Sequence, residues 1–165
     1  MSEKSAIVAF DPGLSGGIAI LRPDQSPELH LMPTIETGQG SKRTLDVQRI
    51  MQILLDANPR LVILEKQQAY PNQGGVSNYT TGENFGTLKG LLYGLEMAFV
   101  VVRPCEWTKA MGVPGKKKGA GNGALLVCRQ LFPGLALPET PRSHEVYDGP
   151  VDALLLAEYG RRTAQ

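Results

Sequence analysis

Two runs of apolar residues in this chain each end in an acid. Ala6-Ile7-Val8-Ala9-Phe10 has no polar position, the pattern of a strand buried on both faces, and Asp11 follows it directly. Leu61-Val62-Ile63-Leu64 repeats the pattern and ends in Glu65. After the first run, residues 18–21 predict a short apolar strand and residues 22–27 a turn. Residues 28–32 alternate loosely, as an edge strand does, so the chain opens with an antiparallel meander. Residues 34–41 read as a polar loop. Residues 44–58 read as an amphipathic helix with Val47, Ile50, Met51 and Leu54 on one face, stopped by Asn58-Pro59. A helix between two buried strands is a crossover, which predicts a parallel pair and an α/β layer fold. Asp11 and Glu65 then emerge at the same end of the sheet, where ligands of open α/β sheets sit.

The second half is less regular. Residues 67–80 are polar and rich in Asn, Gln and Gly, a long loop of the kind that carries function. Residues 82–97 place Phe85, Leu88, Leu92 and Leu95 at helical spacing, with Gly82, Gly86, Gly90 and Gly94 forming a bare face. Each interior glycine costs about 1 kcal/mol against alanine, so something must approach that face closely: the sheet or a second copy of the chain. Residues 99–102 are the last strand. Residues 103–121 are loop-like, with a helical turn around Trp107, which reads as a packing anchor sharing a face with Met111. A helix over 122–131 stops at Phe132-Pro133-Gly134, a Pro-rich stretch covers 135–143, and a final helix over 151–159 is begun by Pro150. There is no internal repeat, and 165 residues suit a single domain over 1–165.

Composition narrows the class only a little. Hydrophobic content of 42% and charged content of 20% are ordinary for a globular domain. No apolar run approaches the ~20 residues of a membrane span, and residues 1–5 carry no signal-type apolar stretch, so a cytoplasmic location is expected. Cys105 and Cys128 lack metal-type spacing and read as buried thiols. The net charge of +1 is uneven, with the excess of Lys and Arg after residue 102. Arg103, Lys109, Lys116, Lys117 and Lys118 face only Glu106 in that stretch, a patch suited to a phosphate backbone or to plain solvated surface.

The acids change the picture most. Asp11 runs into Pro-Gly and Ser15-Gly16-Gly17, and three readings stay open for it: turn chemistry, a phosphate cradle, or a metal ligand. Asp152 lies early in an apolar helix, on the face of Leu156 and Tyr159, and so looks inward. Asp148, four residues earlier, shares that face if the helix has begun, or else caps it. With Glu65 these make three or four carboxylates and no competing Cys or His cluster. Hard oxygen donors suit Mg²⁺, with Mn²⁺ able to substitute. Gathered carboxylates repel one another unless cations are present. Two ions ~4 Å apart serve phosphodiester hydrolysis. Strand-end acid, neighbouring-strand acid and helix acid together look like the plan of the RNase H-like nucleases.

The chain resembles the RuvC family of Holliday junction resolvases, in its phage-type and chloroplast-type branch. The matching segments are Phe10-Asp11-Pro12-Gly13 with Ser15-Gly16-Gly17, Leu64-Glu65 with Tyr70-Pro71-Asn72-Gln73-Gly74, and Phe85-Gly86 to Gly90. They continue in Arg103-Pro104 with Trp107-Thr108-Lys109, Leu131-Phe132-Pro133, and Asp148-Gly149 with Val151-Asp152-Ala153-Leu154-Leu155. The resemblance implies an RNase H-like three-layer α/β fold, a five-stranded mixed sheet flanked by helices. It implies a homodimeric, Mg²⁺-dependent endonuclease that makes paired nicks in four-way DNA, with no membrane partner. It places metal-binding, catalytic acids on Asp11, Glu65 and Asp152. A fourth ligand falls on Asp148, which fits better than the earlier His144. An aromatic that disturbs stacking at the junction falls on Tyr70 or Tyr79, and DNA contacts on Lys109 and Lys116, Lys117 and Lys118. The competing readings are a ribonuclease H-type or other branched-DNA nuclease, a non-cutting junction binder, and an actin-like phosphate binder, for which the chain is short.

Overall fold

The computed structural model describes residues 5–38, 42–69, 71–115 and 122–164. β1 (Ile7–Asp11), β2 (Gly17–Leu21) and β3 (Glu28–Leu31) form the predicted antiparallel meander. β4 (Thr34–Glu36) and β5 (Arg43–Leu45) form a separate two-stranded ribbon, where a loop over 34–41 and the start of the helix at 44 were expected. α1 (Val47–Ala57) begins three residues later than its apolar pattern suggested, because the Asp46 side chain accepts from the Arg49 N–H and caps it there. β6 (Leu61–Glu65) returns parallel to β1, and β7 (Phe99–Val102) lies parallel beside β6. The main sheet is therefore five-stranded and mixed, in the order β3-β2-β1-β6-β7.

Helices cover both faces. On one side α1 and α2 (Gly75–Gly94) pack on Val8, Phe10, Ile18, Ile20, Val62 and Leu64. On the other, α3 (Pro104–Ala110), α4 (Gly123–Leu131) and α5 (Asp148–Thr163) pack on Ile7, Ala9, Ala19, Leu21 and Ile63. Strand alternation produces this split, since successive side chains point to opposite faces. α5 is buried along most of its length and crosses β2 and β1, and Gly160 leaves its backbone against the Ile63 side chain.

α2 starts seven residues before the expected position and shortens the polar loop. Its first turns carry no apolar periodicity. They are tied instead by Gln73 Nε2 donating to Ser77 Oγ at 3.0 Å and Thr80 Oγ1 donating to the Val76 carbonyl at 3.1 Å. The glycine face of α2 does not meet the sheet: a Cβ at Gly82, Gly86, Gly90 or Gly94 would find no atom of the described residues outside its own helix within 4 Å. Among the described residues no helix is long and apolar enough to cross a membrane.

Candidate active site

Register and alternation bring the first two acids together. Ile7, Ala9 and Ile63 face α5, so Asp11 and Glu65, each two residues on, face it too. β1 and β6 pair in parallel up to Phe10 opposite Leu64, so the next pair is Asp11 beside Glu65. Burial pushes the Asp11 carboxyl up to about 6, a hydrogen bond from the Gly13 backbone opposes this, and the charge of Asp148 adds to it. Burial pushes Glu65 up to about 7, with the charge of Asp11 adding to it, while hydrogen bonds from Trp107 and Gln67 act against it. Two carboxyls that resist ionising side by side form a site built for positive charge.

The start of α5 is fixed against the turn between β1 and β2. Gly16 and Gly149 form an isolated parallel bridge, and a Cβ on Gly17 would lie 2.5 Å from the Pro150 nitrogen. Glycine is needed here because two main chains touch. The contact accounts for half of the Gly-rich turn and excludes a phosphate cradle at Gly16 and Gly17; only Pro12 to Ser15 border open space. The helix begins at Asp148 and not near Pro150, which sits in the first turn, where its missing N–H leaves no gap. Asp148 is therefore no N-cap. It is an exposed first-turn residue whose Oδ1 accepts a hydrogen bond from Asn122 Nδ2. Asp152 is half-buried one turn later on the same stripe of the helix.

Three side chains that hold the acids were not singled out as such from the sequence. Trp107, buried on α3, donates from Nε1 to Glu65 Oε1 at 2.8 Å, so the packing anchor is also a carboxylate holder. Gln67 donates from Nε2 to Glu65 Oε2 at 3.1 Å. Asn122 caps α4 by accepting from the Ala124 and Leu125 N–H groups while its amide nitrogen serves Asp148. A buried indole needs an acceptor, and an acid at a strand end needs donors; that pairing of needs was the available signal.

Among the described residues no group of three or more His, Cys, Asp or Glu closes into a cage for a metal ion. The donors are all carboxylate oxygens, and each Glu65 oxygen has one hydrogen bond and a remaining lone pair. Such a set fits Mg²⁺, which keeps several waters and takes one or two carboxylates together with substrate phosphates. Lys109 is exposed on the last turn of α3, two residues beyond Trp107, and Tyr79 is exposed on α2. Tyr70, Lys116, Lys117 and Lys118 lie outside the described residues.

No protein-family model matches the chain. No curated protein matches it by sequence. Solved structures do match its fold. It is similar to the RuvC of Thermus thermophilus, at 16% identity and a TM-score of 0.58, covering 96% of each chain. The T. thermophilus RuvC in complex with Holliday junction substrate matches at 17% identity and a TM-score of 0.58, over 96% of this chain and 95% of that one. The yeast mitochondrial Holliday junction resolvase Ydc2 matches at 15% identity and a TM-score of 0.60, over 96% of this chain and 78% of that one. The likeness is one of fold, and it bears out the expected five-stranded, helix-flanked RNase H-like architecture.

Proposed function

We propose that this chain is a metal-dependent endodeoxyribonuclease that makes paired nicks in four-way DNA junctions. One observation carries the reading. Two desolvated carboxylates, Asp11 and Glu65, end adjacent parallel strands, and the first turns of α5 add Asp148 and Asp152 on the same side. The shared fold with RuvC and Ydc2, one of them solved on a Holliday junction substrate, supports it.

Asp11, Glu65, Asp148 and Asp152 would hold Mg²⁺, with Mn²⁺ as a substitute and two ions per site. The ions supply electrophilic stabilisation of the phosphodiester and a lowered pKa for attacking water. The protein's part is orientation. Trp107 and Gln67 fix the Glu65 carboxylate from two directions, Asn122 fixes Asp148, and the Gly13 N–H steadies Asp11. Lys109, with Lys116 to Lys118, would meet the DNA backbone, and Tyr70 or Tyr79 would disturb stacking at the branch. The bare glycine face of α2, flanked by exposed Tyr79 and Tyr93, is suited to a second copy of the chain, which a paired cut requires. The work belongs in a cytoplasmic-type compartment, where DNA and Mg²⁺ meet.

The test compares cleavage of a four-way junction, a linear duplex and an RNA–DNA hybrid in Mg²⁺. Selective cutting of the junction is expected, and equal cutting of all three, or of none, overturns the reading. Asp11→Asn and Glu65→Gln should each abolish cutting while junction binding persists in chelator.

A further inference from the structure

The sheet-facing stripe of α2 changes character along its length. Leu92 and Leu88 are buried over the strands, and one turn earlier the same stripe continues with Asn84, then Thr80 and Thr81, then Ser77. Past the end of β1 this polar part of the stripe and the β1–β2 turn enclose a cleft of about 310 Å³. Its polar lining is Ser15, Gln67, Ser77, Thr80, Thr81 and Asn84, with no charged residue among the lining groups. Gln67 joins the cleft to the acids, since its amide nitrogen also donates to Glu65.

Asn84 has an environment unlike that of the other polar residues of α2. It is 5% exposed, and its amide makes no hydrogen bond among the described residues. No side-chain nitrogen or oxygen among the described residues is fully buried without a partner, so this amide keeps its access to solvent, and the cleft it lines is where that access lies. An amide that opens only into a cleft offers its donors and acceptor to whatever enters. A phosphate is a poor occupant, because among the described residues no cation lines the cleft. A flat, neutral group with adjacent donors and acceptors is a good one, and asparagine presents the pair that reads a base edge. The volume lies at the small end of ligand sites, enough for a single base and its sugar.

We propose that this cleft receives one unstacked nucleobase of the strand being cut, and that Asn84 reads its edge. The proposal rests on the junction-cutting reading for the identity of the strand. A base inside a duplex cannot enter a concave cleft, whereas a base at a branch point has already lost stacking and is extruded at lower cost. One cleft then supplies base preference next to the nick and part of the preference for branched DNA.

Two measurements test it. In the first, junctions randomised around the branch are cut in Mg²⁺ and the new ends sequenced. The wild type should favour one base at one position beside the nick, and Asn84→Leu and Asn84→Ala should each reduce that preference about tenfold, the discrimination of one lost bidentate contact. In the second, 2-aminopurine is placed position by position at the branch and fluorescence is read in chelator, where no cutting occurs. One position should brighten on binding wild type and stay dim with Asn84→Leu. Asn84→Leu should melt no lower than wild type, which separates loss of reading from loss of fold. Unchanged base preference in both variants, or brightening that survives Asn84→Leu, overturns the proposal. A wild type that binds junctions without cutting them refutes the nuclease reading and leaves the fluorescence to decide this one. A wild type that binds no branched DNA overturns both.

Discussion

The raised carboxyl of Asp11 makes a prediction that runs against ordinary expectation for a residue proposed to hold a metal: Asp11→Asn should stabilise the metal-free protein. Asp11 titrates near 6 in the fold against an ordinary value of 3.8, chiefly because it is desolvated. A raised acid pKa means the folded form keeps its proton longer than the unfolded one. Stability is therefore lost as pH climbs from about 4 through about 6, and the full loss persists above that. The shift corresponds to about 3 kcal/mol at about pH 8 and to less than 1 kcal/mol near pH 4. Asparagine is close in volume and keeps an oxygen for the Gly13 N–H, so removing the charge is the main change. In chelator at about pH 8 the variant should melt higher by roughly 6–12 °C, at about 2–4 °C per kcal/mol for a chain of this size. The gap should shrink to a few degrees near pH 4. Adding Mg²⁺ should raise the wild-type melting temperature and leave Asp11→Asn nearly unmoved, because in the proposed site only the wild type would have the full ligand set. Calorimetry or near-ultraviolet circular dichroism reads all three conditions. A variant that melts at or below wild type in chelator at about pH 8, or a gap independent of pH, refutes the argument.

Three further predictions follow from neighbouring contacts. Trp107→Phe removes the indole donor from Glu65, whose carboxyl should rise beyond about 7; the acid limb of the pH–rate profile at fixed Mg²⁺ should move upward, with a stability loss of about 1–3 kcal/mol. An unmoved limb would show that Trp107 only packs. Gly149→Ala drives a methyl into the Gly16 backbone, so it should cost about 1–3 kcal/mol and reduce cutting by displacing Asp148, as melting and junction-cleavage assays measured together will read. Gly86→Arg has open space around it in a single chain, so it should leave the monomer at least as stable while preventing self-association. Analytical ultracentrifugation decides, and a monomeric wild type removes the interface.

Much of the fold was legible because its strands are pure patterns. The runs before Asp11 and Glu65 are apolar at every position, and the crossover between them fixes a parallel pair, so both acids were located before any coordinates. Asp152 was legible for the same reason, as an acid among leucines. Polar elements were not. The β4–β5 ribbon is half-exposed and lacks alternation, and the first turns of α2 are held by Ser, Thr and Gln side chains where apolar spacing would have marked them. Asp148 shows how a local rule misleads: an Asp before Gly-Pro is a natural cap, but the chain enters the helix earlier, since Gly149 must touch Gly16. Of the holders of the acids, Trp107 carried a signal only in its need for an acceptor, because it meets Glu65 across a sequence gap that no spacing rule spans.

The backbone contact between Gly16 and Gly149 also orders events in time. Asp11 belongs to the first strand, whereas Asp148 and Asp152 are synthesised well over a hundred residues later, on the helix that covers β1 and β2. A nascent chain stopped short of Asp148 carries the strand-end acids without their helix partners, and the part of the apolar face over β1 and β2 that α5 covers stays open until it docks. Closure of this longest loop is then a slow, late step, as expected where contacts join distant parts of a chain. The cluster of Asp11, Glu65, Asp148 and Asp152 is completed only when the last helix arrives, and not gradually before it.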